Sequence, residues 1–346
     1  EAERVARVVG ELDHLVALAE SLRGAGVLAR AQACAEAILA REPQHQDMAW
    51  MRAELLEQAG DDLVGEEAWV RAIALRGGAV DATELATIYV RLGKRALARP
   101  DSERAIEHLR RACELEPTQV APRELIEQAY ERAEQWHEAA SVRAELVELC
   151  TDPAQKGKHR LAWAALLRDK LTDVPAALAV LEQASLDTPD DVQVTRALLD
   201  TVAALHDMAR YLVVGERLLQ QVGEAQLDAA FFAQLAQAYD EAAGDSEHAK
   251  YYYEKATERD PQALGPRAKL ASLAKATGDF ATYAAMQEAI AAQEQDPTTR
   301  VASYKELAEV YATRLGASAR AVDMLLRARE LDPHDRQLLR QLADAY

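Results

Sequence analysis

The sequence predicts an all-α protein built as a row of stacked helical hairpins, and three observations support this fold class. Residues 301–333 contain two amphipathic segments joined by a turn at Gly316, and neither segment can bury its apolar stripe alone. Alanine and proline markers recur at intervals of 36 or 72 residues through most of the chain. Aromatic residues make up only 5% of the chain, and the alternating β-branched runs typical of strands are absent.

The markers of each repeat are two alanines and a proline with a fixed spacing. The small alanines let two helices approach closely, and the proline ends a helix because the residue before it is pushed out of the α region. The markers stand at Ala105, Ala112 and Pro117; Ala177, Ala184 and Pro189; Ala249, Ala256 and Pro261; Ala285, Ala292 and Pro297; and Ala321, Ala328 and Pro333.

These regularly spaced residues, which we call the marker lattice, divide the chain into nine helical hairpins and one half hairpin within a single domain, residues 1–346. A repeat array needs no further partition, because each hairpin buries its apolar surface against its neighbours. The units span about 12–43, 46–78, 79–117, 120–153, 157–189, 192–224, 228–261, 264–297, 301–333 and 335–346.

The first three units are recognised by their turns and stops. The first turns at residues 24–26 and ends at Pro43, and the second turns at Gly60 and Asp61. The third unit carries seven extra residues around positions 92–100. We expect this insertion to change the middle of the third hairpin.

The later units follow the lattice, except for the sixth. There Val213 and Gln220 replace the marker alanines and no proline closes the unit. The chain ends in an apolar first helix, residues 335–346, without the second helix that would cover it. We therefore expect the natural array to continue.

The marker set resembles the tetratricopeptide repeat, although its period is 36 residues and the family usually has 34. This resemblance implies a right-handed superhelical solenoid of stacked antiparallel helix pairs with about nine and a half repeats. It also implies that the first helices line a concave groove in which partner proteins bind. The family's positions are filled by Leu307, Ala308, Tyr311, Ala321, Leu325, Ala328 and Pro333, and by Leu235, Ala236, Tyr239, Ala249, Tyr253, Ala256 and Pro261.

The composition excludes several classes of function. The net charge of -18 disfavours nucleic-acid binding, because phosphate contacts need clustered lysine and arginine. The three cysteines are far apart and have no histidine at ligand spacing, and no phosphate-binding loop or catalytic motif is present. We expect no catalytic activity, no cofactor and no metal.

No signal peptide or long apolar run appears, which predicts no membrane insertion and a cytoplasmic location. The chain begins at Glu1 without a methionine, so we expect that an upstream segment has been removed.

The candidate partner-binding residues follow from the groove positions of the family. The chain has no asparagine, which disfavours the family's clamp for a C-terminal carboxylate and favours binding through shape and apolar contacts. The candidates are Thr83, Thr87, Arg91, Gln128, Arg168, Thr201, Gln237, Lys275 and Lys305.

The irregular sixth unit leads to a more specific hypothesis. Leu212, Val213 and Val214 are consecutive, so a helix cannot bury all three against one neighbour. One of them should face outward beside Thr201 and Gln237, which would place most of the partner binding in the groove between positions 168 and 237. The alternative is a shifted second helix that leaves nothing exposed.

The sequence favours a non-catalytic scaffold that binds a protein, helix or peptide. Two alternatives stay open: an accessory repeat region of a larger enzyme, and a self-assembling structural rod. A further choice concerns Tyr251 and Tyr252, which either pack on a neighbouring helix or form an aromatic contact patch.

Overall fold

A computed structural model describes residues 2–60, 62–99 and 101–345. Over these residues the chain forms 19 α-helices and no β-strand. Consecutive helices pack against each other as hairpins, which confirms the predicted all-α array of helix pairs. Asp61 of the predicted turn and Pro100 of the predicted insertion lie outside the described residues.

The odd-numbered helices are the first helices of the hairpins, and the even-numbered helices are the second. The first helices are α1 (Ala2–Gly24), α3 (Gln46–Ala59), α5 (Ala82–Ala98), α7 (Ala121–Arg132), α9 (Pro153–Asp169), α11 (Val192–Ala204), α13 (Ala229–Ala238), α15 (Leu264–Thr277), α17 (Pro297–Thr313) and α19 (Arg336–Ala345). The second helices are α2 (Leu28–Arg41), α4 (Asp62–Arg76), α6 (Ser102–Leu115), α8 (Trp136–Leu149), α10 (Val174–Asp187), α12 (Met208–Val222), α14 (Ser246–Arg259), α16 (Phe280–Gln293) and α18 (Ser318–Leu331).

Aspartates fix where most of these second helices begin. An aspartate at the N-cap accepts a hydrogen bond from a backbone N–H of the first turn, which would otherwise have no partner. This cap is formed by Asp101, Asp173, Asp207, Asp245 and Asp279. The turn before the last second helix is made by Gly316, whose φ of 63° is easily reached only by glycine.

The helices form two compact units, Glu1–His159 and Arg160–Tyr346, which we call unit one and unit two. The largest fully buried side chains of unit one include Ile38 and Trp69, and those of unit two include Tyr211 and Phe232. Each unit therefore has its own apolar core. The organisation of the whole chain as a single domain stays a prediction.

The family positions on the two helices of the ninth hairpin are all occupied by buried side chains, whereas the closing Pro333 is exposed. Alanines at the crossing of α17 and α18 leave room for the larger residues, which fill the space between the helices. The buried set is Leu307, Ala308, Tyr311, Ala321, Leu325 and Ala328. The tetratricopeptide-like pattern read from the sequence is therefore the packing pattern of the hairpin.

Tyrosine side chains link neighbouring hairpins of unit two with a period of 72 residues. In each link a tyrosine hydroxyl donates to a carboxylate or amide oxygen 23 residues away. Two links join a first helix to the preceding second helix, and two join a second helix to the next first helix. They are Tyr239 to Glu216 (2.5 Å), Tyr311 to Glu288 (3.2 Å), Tyr211 to Gln234 (2.9 Å) and Tyr283 to Glu306 (2.7 Å).

The predicted insertion in the third hairpin lengthens the first helix of that hairpin. Helix α5 has 17 residues, whereas α7 has 12. The added turn brings Gly93 against Leu109 of α6, where a Cβ on Gly93 would lie 2.5 Å from the Leu109 Cγ. Glycine is therefore required at this crossing because the two helices approach too closely for any side chain.

Replacing Gly93 with alanine should lower the free energy of unfolding by about 1–2 kcal/mol, because overpacking outweighs the gain in helix propensity. The matched control is Gly65→Ala on α4, where the nearest atom to an added Cβ lies 3.6 Å away. That change should stabilise the protein by about 0.5–1 kcal/mol. Urea unfolding followed by circular dichroism measures both, and two changes of the same sign would contradict the close approach.

Candidate partner-binding surfaces

The nine side chains predicted to line the groove divide between the two units. Unit one holds Thr83, Thr87, Arg91 and Gln128, and unit two holds Arg168, Thr201, Gln237, Lys275 and Lys305. In each unit the relevant surface is the one formed by the first helices of successive hairpins, which we call the first-helix face.

In unit one the predicted residues are accessible and mostly uncharged. Thr83, Thr87 and Gln128 are exposed, and the Thr87 hydroxyl donates to the Thr83 carbonyl oxygen at 2.9 Å. Arg91 is also exposed, but its guanidinium lies 3.2 Å from the Glu57 carboxylate. The first-helix face of unit one thus presents hydroxyl and amide groups, with its arginine charge balanced.

The two lysines of unit two are already paired across neighbouring first helices. The Lys275 Nζ lies 2.9 Å from the Glu306 carboxylate and 5.0 Å from the Tyr283 ring. The hydrogen bond to Glu306 raises the pKa of Lys275. Lys305 forms an ion pair with Asp335, the residue that precedes α19. A partner would have to compete with these carboxylates, so the lysines are better explained as links between hairpins.

Arg168 and Gln237 also have partners close to them in the chain. The Arg168 Nε donates to Asp169 at 2.7 Å, and the Gln237 Nε2 donates to Glu241 at 2.8 Å. Both side chains are half-buried. They can contact a partner at the edge of the first-helix face, but each must give up a local hydrogen bond to bind through its polar group.

The prediction that Thr201 lines the groove is wrong. Thr201 has no exposed surface, and its hydroxyl donates to the Ala197 carbonyl oxygen at 2.7 Å. A threonine can be buried in a helix because this bond to the preceding turn satisfies the hydroxyl. Thr201 therefore packs inside the array and cannot contact a partner.

A one-residue change of register explains the error. In the sixth hairpin the buried positions of α11 precede those of α13 by 37 residues, whereas the marker lattice has 36. The corresponding buried pairs are Val194 and Phe231, Thr195 and Phe232, Leu198 and Leu235, and Leu199 and Ala236. The groove position equivalent to Gln237 is consequently Asp200, and one turn earlier the exposed residue is Arg196.

Arg196 and Asp200 line a cavity of about 280 Å³ between α11 and α13. Its apolar wall includes Leu199 and Phe231, and Gln234 adds an amide. Within the described part of the chain, Arg196 and Asp200 form no ion pair, unlike the paired cations described above. The signal that could have identified them is the apolar pattern of residues 194–202, which fixes the register without the marker alanines.

The sixth hairpin was predicted to expose one of its three consecutive apolar residues and to place it beside Gln237. The structure agrees with the first statement and contradicts the second. Val213 is 63% exposed and Val214 is buried, so one of the three consecutive residues does face outward. However, Val213 lies in a groove with Glu182 and Leu186 of α10. It is therefore on the side of the second helices, and not beside Gln237 as predicted.

The two neighbouring tyrosines have different surroundings. Tyr252 is buried and stacks on Phe232, with ring centroids 6.1 Å apart. Tyr251 is 43% exposed, and its hydroxyl donates to Glu224 at 3.1 Å. Tyr252 thus packs on a neighbouring helix, and Tyr251 leaves part of its ring at the surface.

The described residues contain neither a candidate metal site nor a candidate membrane-spanning helix. No group of three or more histidine, cysteine, aspartate or glutamate side chains among them could hold a metal ion. None of the helices within the described ranges combines the length and the apolar character needed to cross a membrane.

Comparisons with solved structures return tetratricopeptide repeat proteins at low sequence identity. YrrB, a tetratricopeptide protein with an unusual peptide-binding site, is 18% identical, covers 58% of this chain and 96% of its own, and has a TM-score of 0.39. MamA from Desulfovibrio magneticus is 17% identical, and the match covers 51% of this chain and 96% of the MamA chain, with a TM-score of 0.36. Pseudomonas aeruginosa PilF is 14% identical, and the match covers 76% of this chain and 99% of the PilF chain, with a TM-score of 0.35. No protein-family model and no curated protein matches the sequence.

Proposed function

We propose that this array of tetratricopeptide-like helical hairpins is a non-catalytic scaffold that binds a protein or peptide on its first-helix face. YrrB, which has the same kind of hairpins, is described as having a peptide-binding site. For this chain, the observation that carries the proposal is the cavity between α11 and α13. It presents the exposed charges of Arg196, Asp200 and Asp228 beside apolar side chains.

Such a lining suits a segment of polypeptide. The apolar wall can take a side chain of the partner, while Arg196 and Asp200 can bind a carboxylate and a cationic or amide group. Because neither charge is engaged in an ion pair within the described residues, binding does not require breaking an existing one. Gln237, at the equivalent position one hairpin later, extends this surface.

The test exchanges the two charges in the double variant Arg196→Glu and Asp200→Lys. The exchange keeps the net charge and the spacing on α11, but it reverses the charges that a partner meets. A peptide selected from a random displayed library on the wild-type chain serves as the probe, and titration calorimetry measures its Kd. We expect the Kd to rise at least about tenfold.

The matched control is Thr83→Glu, which alters an exposed first-helix position in unit one. It should leave the Kd within about twofold, a difference of less than 1 kcal/mol. Thermal melting shows that both variants fold. An unchanged Kd in the exchanged variant would remove the α11–α13 cavity as the binding site.

A further inference from the structure

A second surface lies in unit two, on the side of the second helices. A groove of about 510 Å³ runs between α10 and α12, and we call it the α10–α12 groove. Leu186, 73% exposed, and Val213, 63% exposed, line it and are both large apolar side chains in contact with water. Exposed apolar surface that is contiguous in this way marks interaction sites in soluble proteins.

The floor of the groove is apolar and well packed. Leu198 and Val202 reach it from α11, and Val214 reaches it from α12, each less than a tenth exposed. The groove is thus a formed concavity between two helices, and water in it contacts mainly hydrocarbon. A partner gains by placing its own apolar side chains there.

Arginines stand at both ends of the groove on α12. Arg210 and Arg217 are separated by seven residues, with Val213 and Val214 between them, so all four side chains share one face of the helix. Two helical turns separate the two arginines by about 10 Å along the axis. This face of α12 therefore presents a cation, an apolar centre and a second cation, and Glu182 of α10 lies opposite the first cation.

Both arginines can bind a further carboxylate through their N–H groups. Arg210 has a half-exposed side chain and only long contacts, 3.6 Å to Glu182 and 3.5 Å to Asp207. Arg217 donates to the Ser185 hydroxyl at 2.6 Å and forms no ion pair with any residue that the structure describes. A guanidinium with free N–H groups beside an apolar groove binds carboxylates in two-pronged geometry.

We propose that the α10–α12 groove binds an acidic amphipathic helix of a partner protein. The apolar face of that helix fills the groove against Leu186 and Val213, and two of its carboxylates, about seven residues apart, bind Arg210 and Arg217. Residues seven apart lie on one face of a helix, so the partner's carboxylates match the spacing of the arginines. The chain's charge of -18 disfavours extended anionic polymers and anionic lipid surfaces, but it permits a short segment whose carboxylates reach Arg210 and Arg217.

This inference concerns a different surface from the α11–α13 cavity and does not depend on the proposed function. The probes are two designed helical peptides with identical leucines, one with glutamates flanking the leucines and one with lysines at the same positions. Fluorescence anisotropy with the full chain measures both Kd values. We expect the glutamate peptide to bind at least about tenfold more tightly, with a preference that weakens as salt is added.

Two variants locate the binding. Val213→Asp places a charge in the groove and should weaken binding of the glutamate peptide at least about tenfold. Arg217→Gln, which keeps a donor for Ser185, should reduce the preference for the glutamate peptide to what Arg210 alone provides, and Arg217→Glu should reduce it further. The matched control is Val70→Asp, the same change at a half-exposed valine of α4 in unit one, which should leave both Kd values unchanged.

Three outcomes would overturn the proposal. Equal affinity for the two peptides would remove the role of the arginines. Binding that Val213→Asp does not change would place the peptide elsewhere. Light scattering that shows a wild-type dimer, dissociated by Val213→Asp, would assign the groove to a second copy of the chain.

Discussion

Replacing Glu66 with alanine is expected to lower the free energy of unfolding of unit one by about 3 kcal/mol. The Glu66 side chain is only 7% exposed and joins two arginines and a histidine of the third hairpin to α4. It forms an ion pair with Arg99, hydrogen bonds to the His108 Nε2 at 3.0 Å, and lies 3.6 Å from Arg104. Without this carboxylate the Arg99 guanidinium, whose side chain is only 20% exposed, stays buried as an unpaired charge.

The control for this change is Glu67→Ala at the next position of α4. Glu67 is exposed, so its removal should change the free energy by less than about 0.5 kcal/mol. Urea unfolding followed by circular dichroism measures both variants, and hydrogen exchange shows whether the loss is concentrated in α4 and α6. If the two variants were equally stable, the Glu66 network would not hold these hairpins together.

The Glu66 contribution should also depend on pH. Burial by itself raises the pKa of Glu66, but hydrogen bonds from His108 and Arg99 outweigh it and hold the pKa below its usual value of 4.5. A folded-state pKa below the unfolded one stabilises the protein above the unfolded value, and this stabilisation is lost as the pH falls through the folded value. The difference in unfolding free energy between wild type and Glu66→Gln should therefore shrink below about pH 4.

Replacing Phe232 with alanine should destabilise unit two by about 3–5 kcal/mol. Phe232 has no exposed surface and contacts aromatic rings on two sides, Tyr252 at 6.1 Å and Phe231 at 5.5 Å between centroids. The Arg259 guanidinium lies 5.5 Å from its ring. The alanine variant loses the buried hydrocarbon and leaves a cavity that these rigid neighbours cannot close.

Two further variants separate the cavity from general effects of substitution. Phe232→Leu keeps most of the apolar volume and should cost less than about 1.5 kcal/mol. Tyr251→Ala, at the partly exposed neighbour of Tyr252, should cost less than Phe232→Ala. Thermal unfolding with calorimetry gives the three values, and a loss below about 1 kcal/mol for Phe232→Ala would contradict the buried aromatic cluster.

The helix pairs of this chain could be predicted from the sequence because a single local rule repeats. Alanine is needed wherever two helices cross closely, and glycine such as Gly316 is needed where the backbone takes a positive φ. Both requirements are set by short-range geometry, so they recur at fixed spacing. The hairpins follow from them directly, and the insertion predicted around positions 92–100 coincides with the end of the long helix α5.

The candidate site could be predicted only in part, because one residue of register turns a helix by about 100°. In the sixth hairpin the marker alanines are missing, and the lattice assigned Thr201 to a surface that Asp200 occupies. The same lattice gave Gln237 and Thr83 accessible positions correctly, because their hairpins keep the markers. The error therefore arises where the repeat itself changes.

Pairings between hairpins were not predicted, because they depend on which side chains meet across 20 or more residues. The links from Tyr239 to Glu216 and from Lys275 to Glu306 are examples. Their spacing does repeat, since the tyrosine links return after 72 residues, so a search for polar pairs at that period would have found them. Such pairing explains why most predicted groove cations are engaged within the chain.

The most direct test of the proposed scaffold function is amide hydrogen exchange with and without the peptide selected on the wild-type chain. We expect slower exchange in α11 and α13 when the peptide is bound, with α5 and α7 unchanged. Slower exchange confined to α10 and α12 would place that peptide in the α10–α12 groove instead. Unchanged exchange in α11 and α13 at saturating peptide would contradict binding at the first-helix face of unit two.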